Sequence, residues 1–117
     1  MNIQERLDII KNGFPKKKDV EDSCYKEVNK YGTERWYNKD HRLHRDNDLP
    51  AVIYSDGGKE WFQNGELHRD NDLPAVIKSN GTQYWYQNGL RHRDNDRPAV
   101  IYSNGDQYWY QNGERIR

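Results

Sequence analysis

The chain has 117 residues and a mass of 14.1 kDa, enough for one domain, and its hydrophobic and charged fractions are both 32%. Nineteen basic against nineteen acidic side chains exclude a bulk electrostatic drive towards phosphate backbones, while 4 Trp, 9 Tyr and 2 Phe exclude a solvated tail. The single cysteine, Cys24, excludes an internal disulfide and a thiolate zinc cage.

The start, MNIQERLDII, lacks the layout of a secretory signal, and no apolar run approaches the ~18 residues of a membrane span. A soluble, cytoplasmic protein with no membrane contact is expected. Residues 1–30 read as a helical N-terminal cap. Ile3, Leu7 and Ile10 fall at helical spacing, Asn12-Gly13 stops the helix, and Pro15-Lys16-Lys17-Lys18 breaks the chain. The spacing of Val20, Cys24 and Val28 predicts a second short helix from about Asp19 to Lys30. Such a cap would cover the first unit of the array that follows.

Residues 31–117 are a repeat. Copies beginning at His44, His68 and His92 recur with a period of 24, and the second and third differ only at Leu73/Arg97, Lys78/Tyr102, Thr82/Asp106 and Leu90/Glu114. A degenerate copy lies upstream, where Gly32 and Trp36 keep the spacing of Gly57/Trp61, Gly81/Trp85 and Gly105/Trp109. Its connection carries one extra residue before His44. Within each unit Pro-Ala-Val-Ile is a strand with proline at its start, followed by a turn at Ser-Asn-Gly or Ser-Asp-Gly. A second run follows, Glu60-Trp61-Phe62 or Tyr84-Trp85-Tyr86, and ends at Asn-Gly, the strongest short turn signal. The fold class expected is mainly β: an elongated, twisted antiparallel sheet of about four hairpins behind a helical cap.

Alternation sends Ala51 and Ile53 to one face and Val52 and Tyr54 to the other. The bulkiest invariant positions, Ile53/Trp61, Ile77/Trp85 and Ile101/Trp109, are expected to form the buried stripe, with Trp61, Trp85 and Trp109 as its structural anchors. Tyr54, Lys78 and Tyr102 then lie on the opposite face with Glu60, Tyr84 and Tyr108.

The string HRDND resembles the catalytic loop of protein kinases, but the chain has neither the glycine-rich loop nor the length for two lobes. Asp46-Asn47-Asp48 offers oxygen atoms to calcium; equally, Asp and Asn cap turns and pair with the adjacent arginine. His41 and His44 lack a third ligand for zinc. No metal, cofactor or catalytic set is expected, because every candidate acid, base or hydroxyl sits at a repeated structural position. The partner-binding candidates are Tyr54, Tyr84, Tyr86, Tyr102, Tyr108 and Tyr110, since tyrosine dominates interface hot spots. Arg45, Arg69 and Arg93 join them along one edge. Stacking on nucleic acid uses aromatics too, though normally with net positive charge.

The unit W-[YF]-x-N-G-x-x-H-R-D-N-D-x-P-A-V-I-x-S-[DN]-G, running from Trp61 to Gly81 and again from Trp85 to Gly105, resembles the divergent MORN-type repeats of phage, giant-virus and bacterial proteins. It differs from MORN repeats proper in lacking a Gly-rich Y-x-G-x-W core and in inserting HRDND. The resemblance covers residues 31–117 and implies a non-enzymatic adaptor or scaffold. Together with small size and balanced charge, it points to a protein partner, such as a host defence nuclease complex inhibited by occupancy in the manner of an anti-CRISPR protein. A nucleic-acid or guide-RNA binder and a purely structural scaffold are the alternatives, and the assembly expected is a monomer or an edge-paired dimer.

Overall fold

A computed structural model describes residues 24–117. The helix expected over Ile3 to Ile10 lies outside the described residues, as does the first part of the second one. Among the described residues there is no helix, and none that could cross a membrane. The strands are β1 (Tyr25–Val28), β2 (Glu34–Tyr37), β3 (Val52–Ile53), β4 (Lys59–Glu60), β5 (Phe62–Gln63), β6 (Glu66–Leu67) and β7 (Val76–Ile77). They continue as β8 (Gln83–Tyr84), β9 (Tyr86–Gln87), β10 (Leu90–Arg91), β11 (Val100–Ile101), β12 (Gln107–Tyr108), β13 (Tyr110–Gln111) and β14 (Glu114–Arg115).

Eight of them form one antiparallel sheet in the order β1-β2-β3-β4-β7-β8-β11-β12, as the hairpin reading requires. The other six pair as β5-β6, β9-β10 and β13-β14, a row of small hairpins beside the main sheet. With extents of 60 × 29 × 22 Å and a radius of gyration of 17.5 Å, the molecule is longer than a compact domain of its size, for which about 13 Å is expected.

One sequence expectation is corrected at the start of the sheet. Tyr25–Val28, assigned above to a helix, is the first strand and pairs with β2 in the register Tyr25↔Tyr37 to Val28↔Glu34. The reason is local. Asn29 Oδ1 accepts the N–H groups of Tyr31 and Thr33, and Gly32, at φ 91°, completes a tight reversal that a helix through Lys30 cannot make. The repeat domain therefore begins by Tyr25, ahead of residue 31.

Each unit also makes two hairpins where one was expected, because the run Glu60-Trp61-Phe62 is not one strand. Trp61 is a corner. Its N–H donates to the Ala75 carbonyl (2.8 Å) in the main sheet, while its own carbonyl accepts the His68 N–H (3.0 Å) in the small hairpin. Trp85 does the same with Ala99 and His92. In the small hairpins both turn residues have positive φ, Asn64 at 51° and Gly65 at 87°, which is the type I′ geometry that Asn-Gly favours. The Gly65, Gly89 and Gly113 N–H groups each donate to the preceding hairpin, at Leu43, Leu67 and Arg91, so the hairpins stack into a second ladder.

The buried stripe is also corrected. The β3-β4 and β4-β7 registers, extended by one residue, place Ala51 opposite Trp36 and Trp61, and Ala75 opposite Trp61 and Trp85. The row therefore alternates large and small: Trp36, Ala51, Trp61, Ala75, Trp85, Ala99, Trp109. Ala51, Ala75 and Ala99 are fully buried, and Trp36, Trp61 and Trp85 nearly so. Ile53, Ile77 and Ile101 are only half-buried, and on the opposite face Val52, Val76 and Val100 are buried in their place. An indole spans more than its own strand, so its cross-strand neighbour must be small. Trp109, at the end of the row, is half-buried.

Candidate functional site

Building from the HRDND segments outward separates structure from surface. Asp46-Asn47-Asp48-Leu49 is a turn with both central residues at positive φ (65° and 57°) and the Leu49 N–H on the Asp46 carbonyl, and the geometry recurs at Asn71/Asp72 and Asn95/Asp96. Asn and Asp tolerate that conformation better than other side chains. The turn aims two groups of Asp48 at the next repeat. The Asp48 carbonyl accepts the Trp61 indole N–H (3.0 Å), and its carboxylate accepts Arg69 in bidentate fashion through Nε (2.8 Å) and Nη2 (3.2 Å). Arg69 in turn lies 3.8 Å above the Trp61 ring and donates Nη1 to the Pro74 carbonyl.

The set repeats as Asp72, Trp85, Arg93 and Pro98, and as Asp96, Trp109 and Arg117. Arg45 stacks on Trp36 at 3.7 Å and donates to the Pro50 carbonyl. The three arginines expected on a binding edge, Arg45, Arg69 and Arg93, thus stack on tryptophans inside the repeat. Trp61, Trp85 and Trp109 are each tied through the indole N–H, to the Asp48, Asp72 and Asp96 carbonyls.

The histidines are equally committed. His44 Nδ1 accepts the Asn64 N–H (3.0 Å), so Nε2 carries the ring proton and donates to Asp46 (2.9 Å). His68/Asp70/Asn88 and His92/Asp94/Asn112 repeat the arrangement. Cys24, His44 and Asp46 bring ligand atoms within 4.8 Å of one another. With both His44 nitrogens engaged, that trio lacks the free imidazole lone pair a metal needs.

What remains is the face carrying Tyr54, Tyr84, Tyr102 and Tyr108. The rings of Tyr84 and Tyr102 meet edge to face at 6.1 Å, and those of Tyr102 and Tyr108 at 5.8 Å. Arg91 bridges this row to the small hairpins: its guanidinium lies 4.9 Å from Tyr84, 5.9 Å from Tyr86 and 5.3 Å from Tyr110, donating to the hydroxyls of the last two. Arg115 covers Tyr108 at 4.2 Å. Burial raises the Tyr84 hydroxyl above its usual value of 10.0, with Tyr102 adding to the effect. Burial would lower Arg91, but its bonds to the Tyr86 and Tyr110 hydroxyls outweigh that and raise it. Among the described residues Arg91 has no acidic partner, and Arg115 donates Nε to the Arg117 main-chain oxygen (3.2 Å).

The structure therefore gathers five of the six tyrosines named from the sequence: Tyr84, Tyr86, Tyr102, Tyr108 and Tyr110. Tyr54 stands apart, near the N-terminal end of the sheet, with its hydroxyl on Glu60 (3.0 Å) and Arg35 at 6.0 Å from its ring. Burial and Glu60 both raise its hydroxyl. Sequence reasoning missed Arg91 and Arg115. A signal was present: the Asn-Gly turns fix the registers Tyr86↔Arg91 and Tyr110↔Arg115, placing each arginine directly across from a tyrosine.

Comparison of the chain with protein families, with curated proteins and with solved structures gives no match. The geometry of the repeat and its surface is what a functional reading rests on.

Proposed function

We propose that this chain is a non-enzymatic protein-binding module whose contact surface is the tyrosine and arginine face of its last two repeats. The observation that carries the reading is the cluster of Tyr84, Tyr86, Tyr102, Tyr108 and Tyr110 around Arg91 and Arg115. Its rings are held by one another and by the two guanidinium groups stacked on them. Tyrosine and arginine are enriched at the hot spots of protein interfaces, tyrosine because it buries a large area with few rotatable bonds and arginine because its planar guanidinium stacks and donates several hydrogen bonds at once. Pre-stacked rings lose little freedom on binding. The histidines, arginines and carboxylates of the repeat are spent on turns and ladders, which supports a module without catalysis.

The resemblance to divergent MORN-type repeats directs the reading towards an inhibitor that occupies a host defence complex in the cytoplasm, with a scaffold role as its plainer form. Affinity capture with the wild-type chain, compared with Arg91→Glu combined with Tyr108→Ala, tests the surface. A partner retained equally by both proteins refutes it. A second reading, nucleic-acid or guide-RNA binding, draws on the same rings and the same arginines. Salt separates the two, since phosphate contacts give a steep fall of log K with log salt and a protein partner a shallow one.

A further inference from the structure

Where a near-identical repeat departs from itself, the departure identifies a position whose role differs. After each turn glycine of the main sheet stands one residue facing the next repeat: Thr33, Gly58, Thr82 and Asp106. Thr33 Oγ1 accepts the Ser55 N–H (3.2 Å) and Thr82 Oγ1 accepts the Ser103 N–H (3.1 Å), both from buried positions. At the middle junction Gly58 supplies no side chain. Among the described residues the Ser79 N–H has no acceptor.

A cavity of about 110 Å³ opens there, lined by Tyr54, Asp56, Gly58, Lys78 and Ser79 among others, several times what one water requires (~10–15 Å³). Position 78 departs as well: it is Lys where the other copies carry Tyr54 and Tyr102. Two of the repeat's deviations thus meet at one cavity. By strand alternation it opens on the face that carries Tyr54, Tyr84 and Tyr102.

We propose that this cavity binds a hydroxyl-bearing side chain, serine or threonine, of a partner protein, in the place the repeat's own threonine leaves vacant. The proposal rests on reading the chain as a protein-binding module. The chemistry selects the group. A Cβ at Gly58 would stand 3.6 Å from Ser79 N, 3.5 Å from the Ile77 carbonyl and 3.2 Å from Asp56 Oδ1. An occupant there meets one donor and two acceptors. A hydroxyl accepts from Ser79 and donates to Asp56 or Ile77. The lining pairs Asp56 and Glu60 with Lys59 and Lys78, so it has no net charge to select a carboxylate or an ammonium, and a methyl group would leave the Ser79 N–H without an acceptor.

The test follows the Ser79 amide of the full ¹⁵N-labelled chain during titration with N-acetylthreonine methylamide. N-acetylvaline methylamide serves as the isostere without a hydroxyl, and methyl glucoside as a hydroxyl source that is not a peptide. The expected result is a saturable shift at Ser79 with the threonine probe. Valine should bind about fivefold more weakly, the ~1 kcal/mol of one net hydrogen bond. Gly58→Thr and Gly58→Ser should abolish the response. No saturable shift, equal response to valine, persistence in both Gly58 variants, or response to the glucoside alone each overturns the proposal. None of these outcomes touches Arg91 or Tyr108, so the binding surface described above stands or falls on its own capture experiment.

Discussion

Gly58→Thr should make the protein more stable, which is unusual for a substitution at a buried glycine. Gly58 does not occupy the left-handed region: only its neighbour Gly57 does, at φ 96°. The steric objection is the Asp56 Oδ1 atom 3.2 Å from the new Cβ. That atom accepts the Gly58 N–H at 2.8 Å, as Asn80 Oδ1 accepts the Thr82 N–H at 2.9 Å, so an equivalent threonine is already accommodated one repeat on. Three gains add: about 0.4–1 kcal/mol from restricting the unfolded chain, about 1 kcal/mol from the bond to the Ser79 N–H, and up to about 0.8 kcal/mol from burying the methyl group. Against these stands a small loss of rotamer freedom in a β-branched side chain. A net gain of about 2 kcal/mol is expected, near 8 °C in Tm for a chain of this size, read by thermal and urea unfolding followed by circular dichroism. Gly58→Val isolates the hydroxyl and should fall short of Thr by about 1 kcal/mol. If Val matches Thr, or if Thr destabilises, the repeat comparison has been misread.

Arg93→Lys should cost about 2 kcal/mol in urea unfolding, close to Arg93→Ala, because an ammonium can neither fork onto Asp72 nor stack flat on Trp85. Trp61→Ala and Trp85→Ala should each cost about 3–5 kcal/mol and Trp109→Ala clearly less, since only the last is half-exposed; equal losses at all three would contradict the burial gradient. Ala75→Leu should destabilise by about 1–3 kcal/mol, as no space exists between Trp61 and Trp85, and a neutral result would rule out the alternating row. Hydrogen bonds from Arg93, aided by Arg97 and opposed by partial burial, hold the Asp72 carboxyl below its usual 3.8. A group depressed in the folded state stabilises fully above its unfolded value and loses that contribution as pH falls through the folded one. The urea midpoint should therefore drop between about pH 5 and about pH 2 more steeply in wild type than in Asp72→Asn.

The repeat period, the antiparallel sheet and the Asn-Gly turns were legible because each rests on a local rule: a fixed spacing, strand-forming residues, and a dipeptide suited to two positive φ angles. Depth was not. Alternation assigned Val52 and Ile53 to opposite faces correctly, but a single strand does not reveal that Trp36 and Trp61 flank Ala51. That depends on registers between residues 10 and 15 positions apart, and it decides that Ala and Val are buried while Ile is not. Tyr25–Val28 was misread because Val20, Cys24 and Val28 satisfy helical spacing by themselves. The turn that the Asn29 side chain closes, immediately after Val28, overrides it.

The arginines show the same division more sharply. Arg45, Arg69 and Arg93 recur at a fixed position and read as an edge for partners; Arg91 and Arg115 lie outside the repeated HRDND string. In the structure the first three stack on tryptophans, and the last two lie against tyrosines. A residue that repeats without change in a stacked array faces an identical neighbour on either side, so its constraint is the stack: Arg69 meets Trp61 and Asp48 just as Arg93 meets Trp85 and Asp72. A residue that changes from copy to copy is released from that constraint. The hairpin face passes from Phe62/Leu67 through Tyr86/Arg91 to Tyr110/Arg115, so aromatic and cationic character accumulates towards the C-terminal end. Gly58 and Lys78 are released in the same sense. In this array regularity marks the scaffold, and recognition is to be sought where one copy differs from the next.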